Sequence, residues 1–99
     1  MKIVWSPLAV DRAIEAAEFI AEDKPEAARR WLDGLFNSVE RLLRFPQSGR
    51  VVPEIGIEMY REVLYKSHRV IYRVERKQIS ILTVRGAKQA LNGDELSLD

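Results

Sequence analysis

Cysteine is absent from the sequence, and histidine occurs once, as His68. Without cysteine the chain can form neither a disulfide framework nor a zinc site with thiolate ligands, which leaves mainly carboxylates as potential metal ligands. A phosphate-binding loop is also missing, because Gly86-Ala87-Lys88 lacks the remaining glycine and the Ser or Thr of that motif. We therefore expect the protein to use no metal and no cofactor.

Long apolar runs are missing as well. The longest stretch without a charged residue extends from Ile3 to Val10 and is interrupted by Ser6 and Pro7. A membrane-spanning helix needs about 20 apolar residues, and a secretory signal needs a continuous apolar run after a basic start. The sequence therefore predicts a cytoplasmic protein without a membrane partner.

The length and composition indicate one folded domain covering residues 1–99. A chain of 99 residues has room for a single hydrophobic core, and 46% hydrophobic with 31% charged residues is ordinary for a globular protein. Disordered chains combine lower hydrophobicity with a higher net charge than the +1 of this chain.

The first half of the sequence predicts a strand followed by a helical hairpin. Residues 2–5 favour a strand, and Ser6-Pro7 is a typical helix start, because serine accepts hydrogen bonds from the free amides of the first turn. Pro25 begins a second helix that extends to about Phe45. The spacing of apolar residues predicts two buried lines, Val10, Ile14, Ala17 and Ala21 in the first helix and Ala28, Leu32, Leu35, Val39 and Leu42 in the second.

The second half alternates apolar and polar residues and predicts three strands. They cover residues 60–65, 68–74 and 78–84, and the short segments between them favour hairpin turns. On the second of these strands, one face carries Val70, Tyr72 and Val74 toward the helices, and the other carries Arg69, Ile71 and Arg73 as a charged face. Residues 87–91 are predicted to form one helical turn.

Together these elements predict an α+β fold. An N-terminal strand, a helical hairpin and a three-stranded antiparallel meander form a sheet that the two helices cover on one face. We expect a single core shared by the helices and the sheet, with the members Ile14, Leu32, Leu35, Val39, Val70, Tyr72 and Ile81.

Positive charge is concentrated in residues 61–88. Eight basic residues in this stretch stand against only Glu62 and Glu75, a local excess of +6. The eight are Arg61, Lys66, Arg69, Arg73, Arg76, Lys77, Arg85 and Lys88. Such a stretch attracts nucleic acid or an acidic protein partner, and a solvated sheet face is the simpler alternative.

Several short motifs follow one another along most of the chain. They are the strand at residues 2–5 with Ser6-Pro7, the turn at Pro25, the loop Phe45-Pro46-x-x-Gly49-Arg50 with Pro53-Glu54, the pair Arg61-Glu62, and the strands Arg69-Val70-Ile71-Tyr72-Arg73 and Ile81-Leu82-Thr83-Val84-Arg85. In this order and spacing, the sequence resembles the RelE/ParE superfamily of bacterial toxins.

The resemblance implies the toxin of a type II toxin–antitoxin pair, which forms a hetero-oligomer with a cognate antitoxin that neutralises it. In the ParE branch the toxin inhibits DNA gyrase, and in the RelE branch it cleaves messenger RNA on the ribosome. The residues that the resemblance and the charge pattern assign to binding of the target or of nucleic acid are Arg61, Lys66, Arg69, Arg73, Arg85 and Lys88.

A RelE-like ribonuclease needs a group to accept the proton of the 2′-hydroxyl, a group to protonate the leaving oxygen, and cations at phosphorus. Arg69 and Arg85 match the strand arginines of the family, and the other candidates are Lys66, His68 and Tyr65. The RelE branch usually has a tyrosine or histidine in its C-terminal segment, but residues 86–93 contain neither.

We therefore favour a ParE-like gyrase inhibitor without an enzymatic activity of its own, and keep the messenger-RNA endoribonuclease as the alternative. In this interpretation, His68 is an exposed turn residue and Tyr72 belongs to the core. A small RNA-binding module is the second alternative, although the exposed aromatic residues that stack unpaired bases are not evident in the sequence.

Overall fold

The computed structural model describes residues 1–96, which form two helices and one five-stranded sheet. The elements are β1 (Lys2–Trp5), α1 (Pro7–Asp23), α2 (Pro25–Glu40), β2 (Arg50–Val51), β3 (Tyr60–Tyr65), β4 (His68–Val74) and β5 (Gln78–Gly86). Short 3-10 helices cover Arg41–Leu43 and Gly93–Leu96, so the second helix ends earlier than the sequence predicted. No helix within residues 1–96 is both long and apolar enough to cross a bilayer.

The strands are arranged in the order β1-β5-β4-β3-β2. Strands β3, β4 and β5 form the predicted antiparallel meander, and β1 lies parallel to β5 at one edge. The α+β fold is thus confirmed, and the strand that the sequence did not indicate is the two-residue β2. It pairs with β3 through Arg50 opposite Glu62 and Val51 opposite Arg61.

Helix α1 faces the core with a different side from the one predicted. Its buried residues are Ala9, Ala13 and the predicted Ala17, whereas the predicted Val10 and Ile14 are 40% and 48% exposed. The start of the helix is fixed by Ser6, whose hydroxyl accepts from the Ala9 amide and donates to the Leu82 carbonyl of β5. The alanine side faces the core because small side chains let the helix lie close to the sheet.

The core between the helices and the sheet otherwise contains the predicted residues. Leu35 and Val39 of α2 and Val70, Tyr72 and Ile81 of the sheet are buried, and Leu32 packs against them half-buried. The interior is continued by Trp31, Leu42 and Ile79. Tyr72 lies here as expected, with its hydroxyl donating to the Pro46 carbonyl and accepting from the Gly49 amide.

The other face of the sheet carries a second, smaller core, contrary to the prediction of a purely charged face. Val52, Ile71 and Leu82 are fully buried there. They are covered by the loop after β2 and by residues 87–96, which we call the C-terminal segment, with Leu91 and Leu96 as its apolar contacts. The prediction of a helical turn at residues 87–91 is wrong, because the segment instead begins with one hydrogen-bonded turn, in which the Gln89 amide donates to the Gly86 carbonyl, and then leads to the 3-10 helix Gly93–Leu96.

Candidate functional site

Arg69 on β4 is the centre of the basic stretch, and its side chain is only 6% exposed. Nη1 and Nη2 donate to the two carboxylate oxygens of Glu54, each at 2.8 Å. Nε and Nη2 donate to Oε1 of Glu62, and Nη1 also donates to the carbonyl of Gln89 at 3.1 Å. A guanidinium has five N–H groups, so every donor of Arg69 is engaged within the protein.

Glu62 on β3 is the buried acidic partner in this cluster, with 1% of its side chain exposed. Its Oε1 accepts from Arg69, and its Oε2 accepts from Arg50 Nε at 2.8 Å and contacts Arg50 Nη2 at 2.7 Å. Arg50 extends outward from β2 and is 66% exposed. A buried carboxylate needs such partners, because an unpaired charge in the interior is strongly destabilising.

Glu54 belongs to the loop that crosses Arg69. Hydrogen bonds from Arg69 hold the pKa of the Glu54 carboxyl at about 2, below its ordinary value of 4.5. The same hydrogen bonds, followed by those to Glu62, raise the pKa of Arg69. Both groups therefore remain charged at neutral pH, and the loop is tied to β4 by a two-point ion pair.

Arg85 at the end of β5 holds the C-terminal segment. Its Nε lies 3.1 Å from Glu95 Oε1, and its Nη2 donates to the Ala90 carbonyl at 3.1 Å. The carboxylate of Glu95 is 3% exposed and also accepts from the Thr83 hydroxyl at 3.2 Å. The second strand arginine of the sequence prediction thus fastens residues 87–96 to the sheet.

Arg61 and Arg73 make weaker contacts at the borders of the sheet. Nη1 of Arg61 donates to the Gly49 carbonyl at 3.0 Å. Arg73 donates to Glu75 at 3.3 Å, and its guanidinium lies 5.8 Å from the centre of the Tyr60 ring. Both side chains are half-buried, and each supports the turn or loop beside it.

The sequence between residues 3 and 91 matches the family model described as the ParE toxin of the type II toxin–antitoxin system parDE. The chain belongs to this toxin family. It is a type II toxin of the ParE type within the RelE/ParE superfamily, as the motifs predicted. No curated protein matched the sequence at a significant level.

Two solved structures are similar to the toxin in fold. The chromosomal ParDE toxin–antitoxin system from P. aeruginosa gives a TM-score of 0.76 at 19% identity, covering 89% of this chain and 97% of that one. The YoeB/ParE toxin from Agrobacterium tumefaciens gives a TM-score of 0.61 at 19% identity, covering 87% of this chain and 98% of that one.

Three lysines and one arginine provide the exposed positive charge of the toxin's basic stretch. Lys66 and Lys88, both predicted to bind the target, are exposed and make no hydrogen bond or ion pair with residues 1–96. Lys66 adopts a φ of 52° at the β3–β4 turn, and its Nζ lies 5.9 Å from the centre of the Tyr65 ring. Arg76 and Lys77 at the next turn are exposed as well.

The remaining candidates, His68 and Tyr65, lie on the helix side of the sheet. The Tyr65 hydroxyl donates to the carbonyl of Trp31 at 2.8 Å, and burial raises its pKa. His68 is half-buried, not an exposed turn residue, and its ring packs edge-on against Trp31 at 5.1 Å. Burial lowers the pKa of His68. Because neighbouring strand residues point to opposite faces, His68 does not meet Arg69.

The acidic members of the arginine clusters were not singled out from the sequence as a unit. Glu54, Glu62 and Glu95 come from three separate segments, and all three contact β4 or β5 arginines. The available signals were the motifs Pro53-Glu54 and Arg61-Glu62. The second was misleading, because Glu62 is paired with Arg50 and Arg69 and not with its neighbour Arg61.

Proposed function

We propose that the toxin inhibits DNA gyrase by binding to it. The observation that carries this proposal is the state of Arg69, which donates all of its hydrogen bonds to Glu54, Glu62 and Gln89. Cleavage of RNA requires cations that are free to stabilise charge on phosphorus. A guanidinium that is saturated within the fold favours a structural role for this arginine and a binding role for the toxin.

The positions of the other candidate groups support the same conclusion. Proton transfer requires an acid and a base within hydrogen-bond reach of one reacting bond. Tyr65 and His68 pack against Trp31 on the helix side, whereas Arg69 and Arg85 are directed to the opposite face of the sheet. Inhibition by binding needs no such convergence.

We further propose that a cognate antitoxin binds the toxin in a hetero-oligomer and neutralises it. The similar solved structure from P. aeruginosa is described as a ParDE toxin–antitoxin system. The toxin offers large exposed apolar side chains, namely Phe19, Phe36, Phe45 and Leu64, and exposed cations at Lys66 and Lys88. An antitoxin with apolar anchors and acidic residues would bury the first and pair with the second.

Two activity assays on the purified toxin test the proposed target. The toxin should inhibit supercoiling by gyrase and should leave ribosome-bound messenger RNA intact. Charge reversal at the exposed lysines, in the double variant Lys66→Glu and Lys88→Glu, should reduce inhibition at least about tenfold if they contact the target. Arg29→Glu is the matched control, because Arg29 is an exposed residue of α2 outside residues 61–88.

Arg85 provides a second comparison. Arg85→Lys retains the charge and should be tolerated much better than Arg85→Glu, which places a carboxylate beside Glu95 and should abolish inhibition. Circular dichroism must show that each variant is folded. Ribosome-dependent cleavage that disappears on His68→Ala or Tyr65→Phe would overturn the proposal and assign the toxin to the ribonuclease branch.

A further inference from the structure

A small polar cleft lies at one end of the sheet, and one of its lining residues, Gln89, also accepts from Arg69 through its carbonyl. Its volume is about 240 Å³, and it opens between α1 and the adjoining ends of β4 and β5. The side chains and backbone around it include Arg12, Glu15, His68, Arg85, Gly86 and Gln89. Neither gyrase inhibition nor the pairing of the strand arginines assigns a role to this cleft.

Residues that line the cleft have buried polar atoms without hydrogen bonds. Five buried side-chain nitrogen or oxygen atoms in residues 1–96 have no hydrogen-bond partner, and three of them belong to residues that line it. These are Arg12 Nε, His68 Nδ1 and Arg85 Nε. Arg85 Nε is held in an ion pair by the Glu95 carboxylate 3.1 Å away, so Arg12 Nε and His68 Nδ1 are the two atoms without a partner. Buried polar groups are paired in the great majority of cases, so a cluster of unpaired ones indicates a missing partner.

The chemistry of the lining selects the kind of partner. Arg12 carries only donors, and the amide group of Gln89 has donors free because its Oε1 accepts from the Gly86 amide. The carboxylate of Glu15 accepts from Arg12 Nη1 at 3.2 Å, but its side chain is 62% exposed and can turn into solvent. From this excess of donors, we propose that the cleft binds a small oxyanion, a phosphate or a carboxylate group.

His68 couples this binding to protonation. Its ring packs against Trp31 of α2, and the other charged residues that line the cleft are Arg12 and Glu15 of α1 and Arg85 of β5. The imidazolium form has two N–H donors and a positive charge, so a bound anion stabilises it and the empty cleft does not. Binding should therefore strengthen as the pH falls through the titration range of His68.

The test uses His68, the single histidine of the 99-residue chain, as a reporter. Its imidazole signals are followed by NMR during titration with inorganic phosphate or with acetate, with chloride replaced so that the ionic strength is constant. A saturable shift of the His68 signals, accompanied by a rise of its pKa, is expected for at least one of the two anions. Saturation with phosphate alone identifies a phosphate group as the ligand, and saturation with acetate identifies a carboxylate.

Three matched substitutions distinguish a specific anion-binding site from nonspecific electrostatic attraction. Arg12→Gln should weaken anion binding at least about tenfold, because a charge-assisted donor is lost. Glu15→Gln should tighten it severalfold by removing the competing carboxylate, and Arg29→Gln on the exposed side of α2 should leave it unchanged. Shifts that do not saturate, or that persist unaltered in both Arg12→Gln and Glu15→Gln, would overturn the proposal.

Discussion

Gly34 on α2 and Tyr65 on β3 are packed so closely that the tyrosine hydroxyl occupies the space where a side chain on Gly34 would begin. The glycine lies within a regular helix, where alanine is favoured by about 1 kcal/mol. Because Gly34 has no side chain, the Tyr65 hydroxyl has room to reach the carbonyl of Trp31, to which it donates a hydrogen bond of 2.8 Å. The contact joins the helical hairpin to the β3–β4 turn of the meander.

This contact predicts that Gly34→Ala destabilises the toxin by about 1–3 kcal/mol, because the new Cβ overlaps the Tyr65 hydroxyl. Tyr65→Phe alone should cost about 0.5–1.5 kcal/mol through the lost hydrogen bond. In the Tyr65→Phe background the cost of Gly34→Ala should be much smaller. Urea unfolding of all four proteins measures the coupling, and strictly additive costs would contradict the contact.

The difference in burial between Leu35 and Ile14 predicts different costs for two similar truncations in the helices. Leu35→Ala should lower the free energy of unfolding by about 2–5 kcal/mol, because Leu35 is fully buried. Ile14→Ala should change it by less than about 1 kcal/mol, because Ile14 is 48% exposed in the surface groove that it lines with Leu32 and Phe36. Chemical denaturation measures both costs. A larger cost for Ile14→Ala than for Leu35→Ala would support the orientation of α1 that the sequence predicted.

The ion pair of Glu54 and Arg69 predicts a loss of stability in acid. The pKa of Glu54 is about 2 in the folded toxin and 4.5 as the ordinary value, so the unfolded chain binds the proton first. The stabilisation is present above about pH 4.5 and is lost as the pH falls toward 2. Thermal unfolding across this range should show the decline, and Glu54→Gln should be less stable at pH 7 with a flatter decline.

A substitution of Arg69 tests how much the buried part of the same cluster contributes to stability. Arg69→Lys keeps the charge but cannot reach Glu54, Glu62 and Gln89 together, and it should destabilise the fold by about 3–5 kcal/mol, since Glu62 loses its main buried partner. The measurement is denaturant unfolding at neutral pH. Full stability in this variant, with loss of activity only, would instead place Arg69 among the functional groups.

Association with the proposed antitoxin should depend on salt. Raising the ionic strength should slow the association rate, because Lys66 and Lys88 are exposed and attract acidic residues. The double variant Lys66→Gln and Lys88→Gln should show a weaker salt dependence than the native toxin, whereas Arg29→Gln should not. Surface plasmon resonance with the antitoxin supplies both rates. An association rate insensitive to salt would remove the basic stretch from the contact.

The sequence by itself was sufficient for the order of the main elements. Ser6-Pro7, Pro25 and the change from a helical to an alternating period are local signals, and local backbone preferences act on them in the same way in any context. The order of the short motifs also indicated the toxin family. Even the central location of Tyr72 followed from its position between Val70 and Val74 on one strand face.

Tertiary structure decided how those elements face one another. Ser6 bonds to Leu82, a residue 76 positions later, and this contact fixes the start of α1, whose alanine side faces the core instead of Ile14. Likewise, the charge excess of residues 61–88 did not reveal that Arg69 and Arg85 form ion pairs with Glu54 and Glu95, which lie outside that stretch. A buried charge needs a partner of opposite charge. Which distant carboxylate becomes that partner depends on how the chain folds back across the sheet.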